Sequence, residues 1–152
     1  MIAMEPVGRV RGGRKEAVDD DWGGSCSTIE LDPGRFTPEA LTGLDAFSHA
    51  EIVYLFDRVG IDEIVFSARH PRGRRDWPKV GIFAQRGKNR PNRIGVTICR
   101  IIGVEGLRLE VQGLDAIDGT PVLDIKPVLS GFLPRDELRE PDWAREIMKS
   151  YW

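Results

Sequence analysis

The segment Gln85-Arg86-Gly87-Lys88-Asn89-Arg90-Pro91-Asn92-Arg93-Ile94-Gly95 carries four cations in eleven residues and no acid. Arginine forks and backbone N–H groups in such a stretch recognise phosphate or carboxylate; a plain solvated turn would have the same charge. The Asn, Pro and Gly content favours a loop of defined backbone geometry, the form in which proteins present an anion-binding surface. A second group is Leu114-Asp115-Ala116-Ile117-Asp118-Gly119-Thr120-Pro121. Its carboxylates, three residues apart, could hold a ribose diol or a cation, or could bond the backbone of their own turn. A third is Asp124-Ile125-Lys126-Pro127, where alternation along a strand puts Asp124 and Lys126 on one face as a pair. A Ser-His-Asp triad built from Ser48 and His70 lacks the strained turn that exposes such a nucleophile. His49 and His70 have no clustered Cys or carboxylate partner, so no metal is expected. The run from Arg69 to Arg75, including Arg72, either contacts phosphates or forms a mobile basic loop.

These groups need a rigid frame, and apolar runs separated by turn residues supply one. Strand-like stretches occur at residues 2–10, 27–31, 50–56, 63–68, 80–84, 94–104, 107–112 and 122–128. Arg108 and Glu110 alternate with Leu107, Leu109 and Val111, the period of a half-buried strand. Glu105-Gly106 between two runs reads as a tight hairpin. Two helices are expected. One has Thr37 as N-cap and Pro38 in its first turn and ends near Gly43. The other runs from about Pro141 to Lys149, with Trp143 and Ile147 on one face. Many short strands and few helices predict a mainly β chain, a compact single-domain barrel over residues 1–152 with a few short peripheral helices. No G-x-G-x-x-G follows a strand, which removes support for a Rossmann-type site.

The 152 residues suit one domain, and 41% apolar content suffices for a core. Net charge is only −2, yet residues 69–93 hold nine cations against the single acid Asp76. A local basic window in a mildly acidic chain fits a site for a negative ligand better than a general polyanion coat. The cysteines, Cys26 and Cys99, lie far apart without metal spacing. No leader-like or membrane-spanning run is seen, so a reduced, cytoplasmic protein without a membrane partner is expected.

Several blocks together resemble the TsaA-like family, also called tRNA methyltransferase O. They are Pro6-Val7-Gly8-Arg9-Val10, Leu44-Asp45-Ala46-Phe47-Ser48-His49 and His70-Pro71-Arg72-Gly73, then Gly81-Ile82-Phe83-Ala84-Gln85-Arg86 and Arg90-Pro91-Asn92-Arg93-Ile94-Gly95. The longest runs from Gly113 through Asp118-Gly119-Thr120 to Pro127. The resemblance implies a β-barrel that binds S-adenosylmethionine, works as a homodimer and methylates N6 of threonylcarbamoyl-adenosine beside a tRNA anticodon. By position it implies cofactor contacts at Arg86, Val96, Asp115, Asp118, Gly119 and Thr120, with another at Asp57-Arg58. An N-terminal contact would fall near Trp22-Gly23-Gly24. Arg90, Asn92, Arg93, Lys126 and Arg72 become the substrate-binding candidates. Two departures stand beside the expected reaction centre: Arg93 where many members carry Pro, and Gly87-Lys88-Asn89 in place of a triplet with an apolar residue. The extra C-terminal domain of longer bacterial members is also expected to be missing.

The methyl donor arrives activated, so the protein must align the nucleophile and exclude water. Arg90 or Arg93 would clamp the substrate carboxylate, and Asp118, Asp124 or the substrate itself would take the proton. A single-stranded anticodon base can be splayed into a pocket at modest cost. Two rivals share this sequence: a methyltransferase of a small anionic molecule, and a cofactor- or RNA-binding module without catalysis.

Overall fold

A computed structural model describes residues 1–152. Six antiparallel strands close a barrel in the order β1 (Gly8–Arg11), β2 (Cys26–Leu31), β7 (Arg108–Gln112), β6 (Ile94–Glu105), β3 (His49–Leu55) and β8 (Pro121–Pro127), with β8 returning to β1. Closure leaves no unpaired strand edge in the main sheet. A two-stranded flap, β4 (Ala68–Arg69) and β5 (Val80–Gly81), stands apart from it. One α-helix, α1 (Asp142–Met148), and several single 3-10 turns complete the chain.

Side-chain alternation builds the interior. Val10, Ile29, Leu31, Ala50, Ile52, Tyr54, Cys99, Leu109, Val111 and Val122 are buried in one cluster, and each large apolar side chain so placed contributes about 1.5–3 kcal/mol. Arg108 and Glu110 point outward from β7, as the period-2 pattern requires. Register slips between Ile101 and Gly103 on β6 and at Val53/Tyr54 opposite β8 bend the wall, the usual way a small sheet curls shut. The hairpin turn is Gly106-Leu107, with Gly106 at φ 58° and Glu105 paired to Arg108. Cys99 faces this interior; burial, with the Asp115 carboxylate as a second cause, pushes its thiol up to about 12, so it is no nucleophile.

Four expected elements are corrected. The first strand begins only at Gly8. Residues 63–67 form no strand: a 3-10 turn, Ile61–Glu63, is closed by the Glu63 carboxylate accepting the Gly60 N–H at 2.7 Å, and pairing starts only at Ala68. The strand expected at 80–84 stops after Gly81, where Ile82–Ala84 turn. The Thr37–Gly43 helix is one 3-10 turn, Pro38–Leu41, and Thr37 makes no side-chain cap. Short segments of this kind lack the length to repay helix nucleation. No helix is long and apolar enough to cross a membrane.

Candidate functional site

Antiparallel order brings the C-terminal ends of β1, β3 and β7 and the N-terminal ends of β2, β6 and β8 to one rim. The interior turns polar there. Tyr54 of β3 and Thr97 of β6 point inward, and both hydroxyls donate to Asp115 Oδ1, Tyr54 at 3.0 Å. The Tyr151 hydroxyl donates to Asp115 Oδ2. Asp115 is thus a half-buried carboxylate held by three hydroxyls from three distant parts of the chain. Burial, reinforced by this carboxylate, raises both phenols well above their ordinary value near 10.

That shift has a sign. A phenol whose folded pKa is raised favours folding in its neutral form, so its stabilisation is complete below about pH 10 and lost as pH climbs beyond. For Tyr54 the slope is about 1.4 kcal/mol per pH unit; Tyr151, more exposed, adds less. Thermal melts from about pH 9 upward should therefore show a steep fall in Tm that Tyr54→Phe flattens. Equal pH dependence in the two proteins would refute this account of the cluster.

The basic loop meets the same rim. Arg86 Nη2 donates to the Val96 carbonyl at 2.5 Å, next to Thr97. The expected pair Arg86 and Val96 is therefore joined to the Asp115 segment through β6. The turn at Asp118-Gly119-Thr120 packs on the end of β1: Asp118 N–H donates to Arg14 O at 2.7 Å, Gly119 N–H to Val10 O at 2.7 Å, and Asp118 Oδ1 accepts Gly12 N–H at 2.9 Å. The Thr120 hydroxyl donates to Ile117 O at 2.7 Å. Asp57-Arg58 follows β3 at this end, with Arg58 donating to Lys15 O at 3.4 Å. Ser27 Oγ, on the rimward half of β2, is buried without a partner.

Other candidates are placed differently. Asp124 and Lys126 form the expected pair, 2.5 Å apart, but face outward along β8 toward the opposite rim, where Lys126 lies across from Glu51. The structure does not bring them to the Asp115 cluster. Arg72 is bound to Asp20 at 2.9 Å. Arg90 donates to Gln85 O at 2.7 Å and so braces its own loop, while Arg93 donates to Val59 O at 2.8 Å and ties that loop to the connection after β3. Asn92 is exposed. Arg93 has φ 52°, a value closed to proline, whose ring holds φ near −65°; the departure at position 93 therefore comes with its own turn. Ser48 and His70 share no contact: Ser48 bonds His49 Nδ1, and His70 Nδ1 lies 2.8 Å from Trp77 O. No cluster of three His, Cys, Asp or Glu side chains is placed for a metal.

The C-terminal segment is the site component that sequence reasoning missed. Trp22 N–H donates to Tyr151 O at 2.7 Å, and Asp21 N–H to Ser150 O at 2.9 Å. The Trp77 indole, under the Arg74 guanidinium, donates to Glu146 of α1 at 2.7 Å. Tyr151 caps the rim through its hydroxyl on Asp115.

The donor set suits a nucleoside carrying an amino acid. Arg86 offers a guanidinium to a carboxylate, Asp115 and Asp118 offer acceptors to a diol or a cationic centre, and Val96 offers an apolar wall. A family model described as the tRNA-methyltransferase O N-terminal domain matches residues 21–132. A mouse (Mus musculus) tRNA (adenine(37)-N6)-methyltransferase is 40% identical over 108 residues, 71% of this chain and 25% of that protein. A protein from Methanothermobacter thermautotrophicus named "Probable S-adenosyl-L-methionine-binding protein" is 37% identical over 131 residues, 83% of this chain and 89% of its own. A crystal structure of TrmO from Pseudomonas aeruginosa superposes with TM-score 0.75 at 30% identity, over 94% of this chain and 62% of that one. The chain spans a quarter of the mouse relative's length.

Proposed function

The chain belongs to the tRNA-methyltransferase O N-terminal domain family, and from that premise we propose that it is an S-adenosylmethionine-dependent methyltransferase acting on N6 of the modified adenosine, threonylcarbamoyl-adenosine, beside a tRNA anticodon. The observation that carries this reading is the convergence of Arg86, Val96, Asp115 and Asp118 on one barrel rim. When bound, the cofactor supplies a methyl group already activated on a sulfonium. Arg86 would hold its amino-acid carboxylate, Asp115 or Asp118 its ribose diol, and Val96 would offer it an apolar contact. Asp115 is kept in place by the Tyr54, Thr97 and Tyr151 hydroxyls. Of the two carboxylates considered for proton removal, Asp118 is the better placed: it lies at the rim and its Oδ2 has no protein partner, whereas Asp124 is bound to Lys126 on the outer wall. Arg90 keeps the loop in shape and Arg93 ties it to the connection after β3, and their remaining N–H groups would meet an anionic substrate.

Calorimetric titration with S-adenosylmethionine, followed by mass spectrometry of nucleosides from tRNA incubated with the protein, tests the reading. Absence of cofactor binding ends it; binding without a new methylated adenosine leaves a small anionic acceptor. Arg86→Ala should weaken cofactor affinity about ten-fold or more, the effect of a lost charge-assisted hydrogen bond. Unchanged affinity removes Arg86 from the cofactor set. We also propose a cytoplasmic homodimer. Its support is the apolar loop of Leu129, Phe132, Leu133 and Leu138, with Phe132 at 87% and Leu138 at 70% exposure; light scattering on the purified chain decides the assembly.

A further inference from the structure

The flap made by β4 and β5 serves no purpose in the cofactor site, yet it is firmly built. Ala68 pairs with Gly81 and Arg69 with Val80, and Ile82 N–H donates to Ser67 O at 2.9 Å. One step further on each side stand Phe66 and Phe83. They are 77% and 79% exposed, on a segment where burying either ring would stabilise the fold. The flap is tied to the basic loop by Gln85, whose buried amide donates to Arg69 O at 3.0 Å and Val80 O at 2.9 Å. Val65 N–H reaches Asn89 O at 2.9 Å, which sets Phe66 beside the stretch carrying Lys88.

The charges around it are unspent. Within residues 69–93 two cations are matched by acids, Arg72 by Asp20 and Arg74 by Asp76. Arg86, Arg90 and Arg93 donate to backbone carbonyls. Lys79 at the start of β5 and Lys88 in the loop are exposed and have no protein partner. Apart from Asp76, already engaged by Arg74, residues 64–93 contain no acid. A second copy docking here through a two-fold would bring these like charges together. Rigid exposed aromatic faces beside unpaired cations are instead the means by which proteins hold unstacked bases and their phosphates.

We infer that the Phe66–Phe83 flap is a docking platform for single-stranded RNA: its rings stack on bases of the loop being modified while Lys79 and Lys88 meet the flanking phosphates. The flap leads through Gln85 directly into Arg86 at the rim, so RNA held there presents a neighbouring nucleotide to the site. This inference rests on the proposed tRNA reading and names the surface that reading requires.

The experiment measures binding of threonylcarbamoylated tRNA by fluorescence anisotropy, together with cofactor affinity by calorimetry and mass by light scattering. Phe66→Ala and Phe83→Ala should each weaken tRNA binding about ten-fold, with cofactor affinity and mass unchanged, and Phe83→Trp should retain binding. Lys79→Ala and Lys88→Ala should each lower the slope of log affinity against log salt by about one. Wild-type tRNA affinity in both phenylalanine variants, alongside a wild-type protein that binds tRNA, overturns the flap and leaves the proposed function intact. Loss of tRNA binding that accompanies a change in mass assigns the surface to a second copy and likewise overturns it. A wild-type protein that binds cofactor but no tRNA removes the tRNA reading and the flap together.

Discussion

Gly95→Ala is expected to destabilise the protein by about 2–3 kcal/mol and to lower methyl transfer more than ten-fold. Gly95 lies in β6 directly over Tyr54: a methyl group built there would sit 2.5 Å from two atoms of the tyrosine ring and 3.0 Å from Phe56. Tyr54 is 1% exposed and packs edge-on against Phe56 at 5.3 Å between centroids, so the ring cannot swing away without shifting the wall. Any movement breaks the bond to Asp115 on which the rim cluster is built. Elsewhere in a chain, Gly→Ala at compatible backbone angles stabilises by a few tenths to 1 kcal/mol, so the sign itself is diagnostic. Gly131, with open space around its α-carbon, is the control and should stay within about 0.5 kcal/mol when changed to alanine. Thermal melts should separate the two by several degrees, since 1 kcal/mol moves Tm by about 2–4 °C in a domain of this size. A Gly95→Ala protein that melts like the wild type would show that the Tyr54 cluster is not held by close packing.

Asp118→Asn is expected to cut kcat about 10²-fold or more while leaving Tm close to wild type. The substitution keeps an oxygen to accept the Gly12 N–H, so the turn on β1 survives. What disappears is the negative charge and its capacity to take a proton. Asp124→Asn is the matched comparison: its carboxylate pairs with Lys126 on the outer wall, and turnover of that variant should be near normal. Single-turnover rates on tRNA measure both. Should Asp118→Asn turn over normally, the proton leaves by another route, and Asp118 is reduced to a turn residue. Should Asp124→Asn be the inactive one, the rim assignment itself is misplaced.

The barrel was legible because its signal is local. Alternation in Leu107 to Val111, the Gly106 turn and the apolar runs around them depend on neighbours a few residues apart, and β2, β3, β6, β7 and β8 lie within one or two residues of their expected bounds. The misreadings at 63–68 and 80–84 share one cause. Both runs are apolar, but Phe66 and Phe83 sit on a surface flap, so hydrophobicity there did not report burial. The pairing of Asp124 with Lys126 was legible for the same reason as the strands: two residues on one strand face need no tertiary information.

From the order of residues alone came the anion-seeking loop, the aspartate–glycine turn, the mainly β architecture and the family. Those depend on residue type and short spacing, which the chain carries whether folded or not. Only the fold decided that Arg86 reaches Val96, that Arg90 turns back on its own loop while Arg93 reaches Val59, and that Lys126 faces away. It also decided that a tyrosine 36 residues beyond Asp115 returns to share its carboxylate. Contacts of that kind are set by barrel closure and by the path of the tail across the rim. No local pattern encodes them, because the partners are brought together by packing that the rest of the molecule determines.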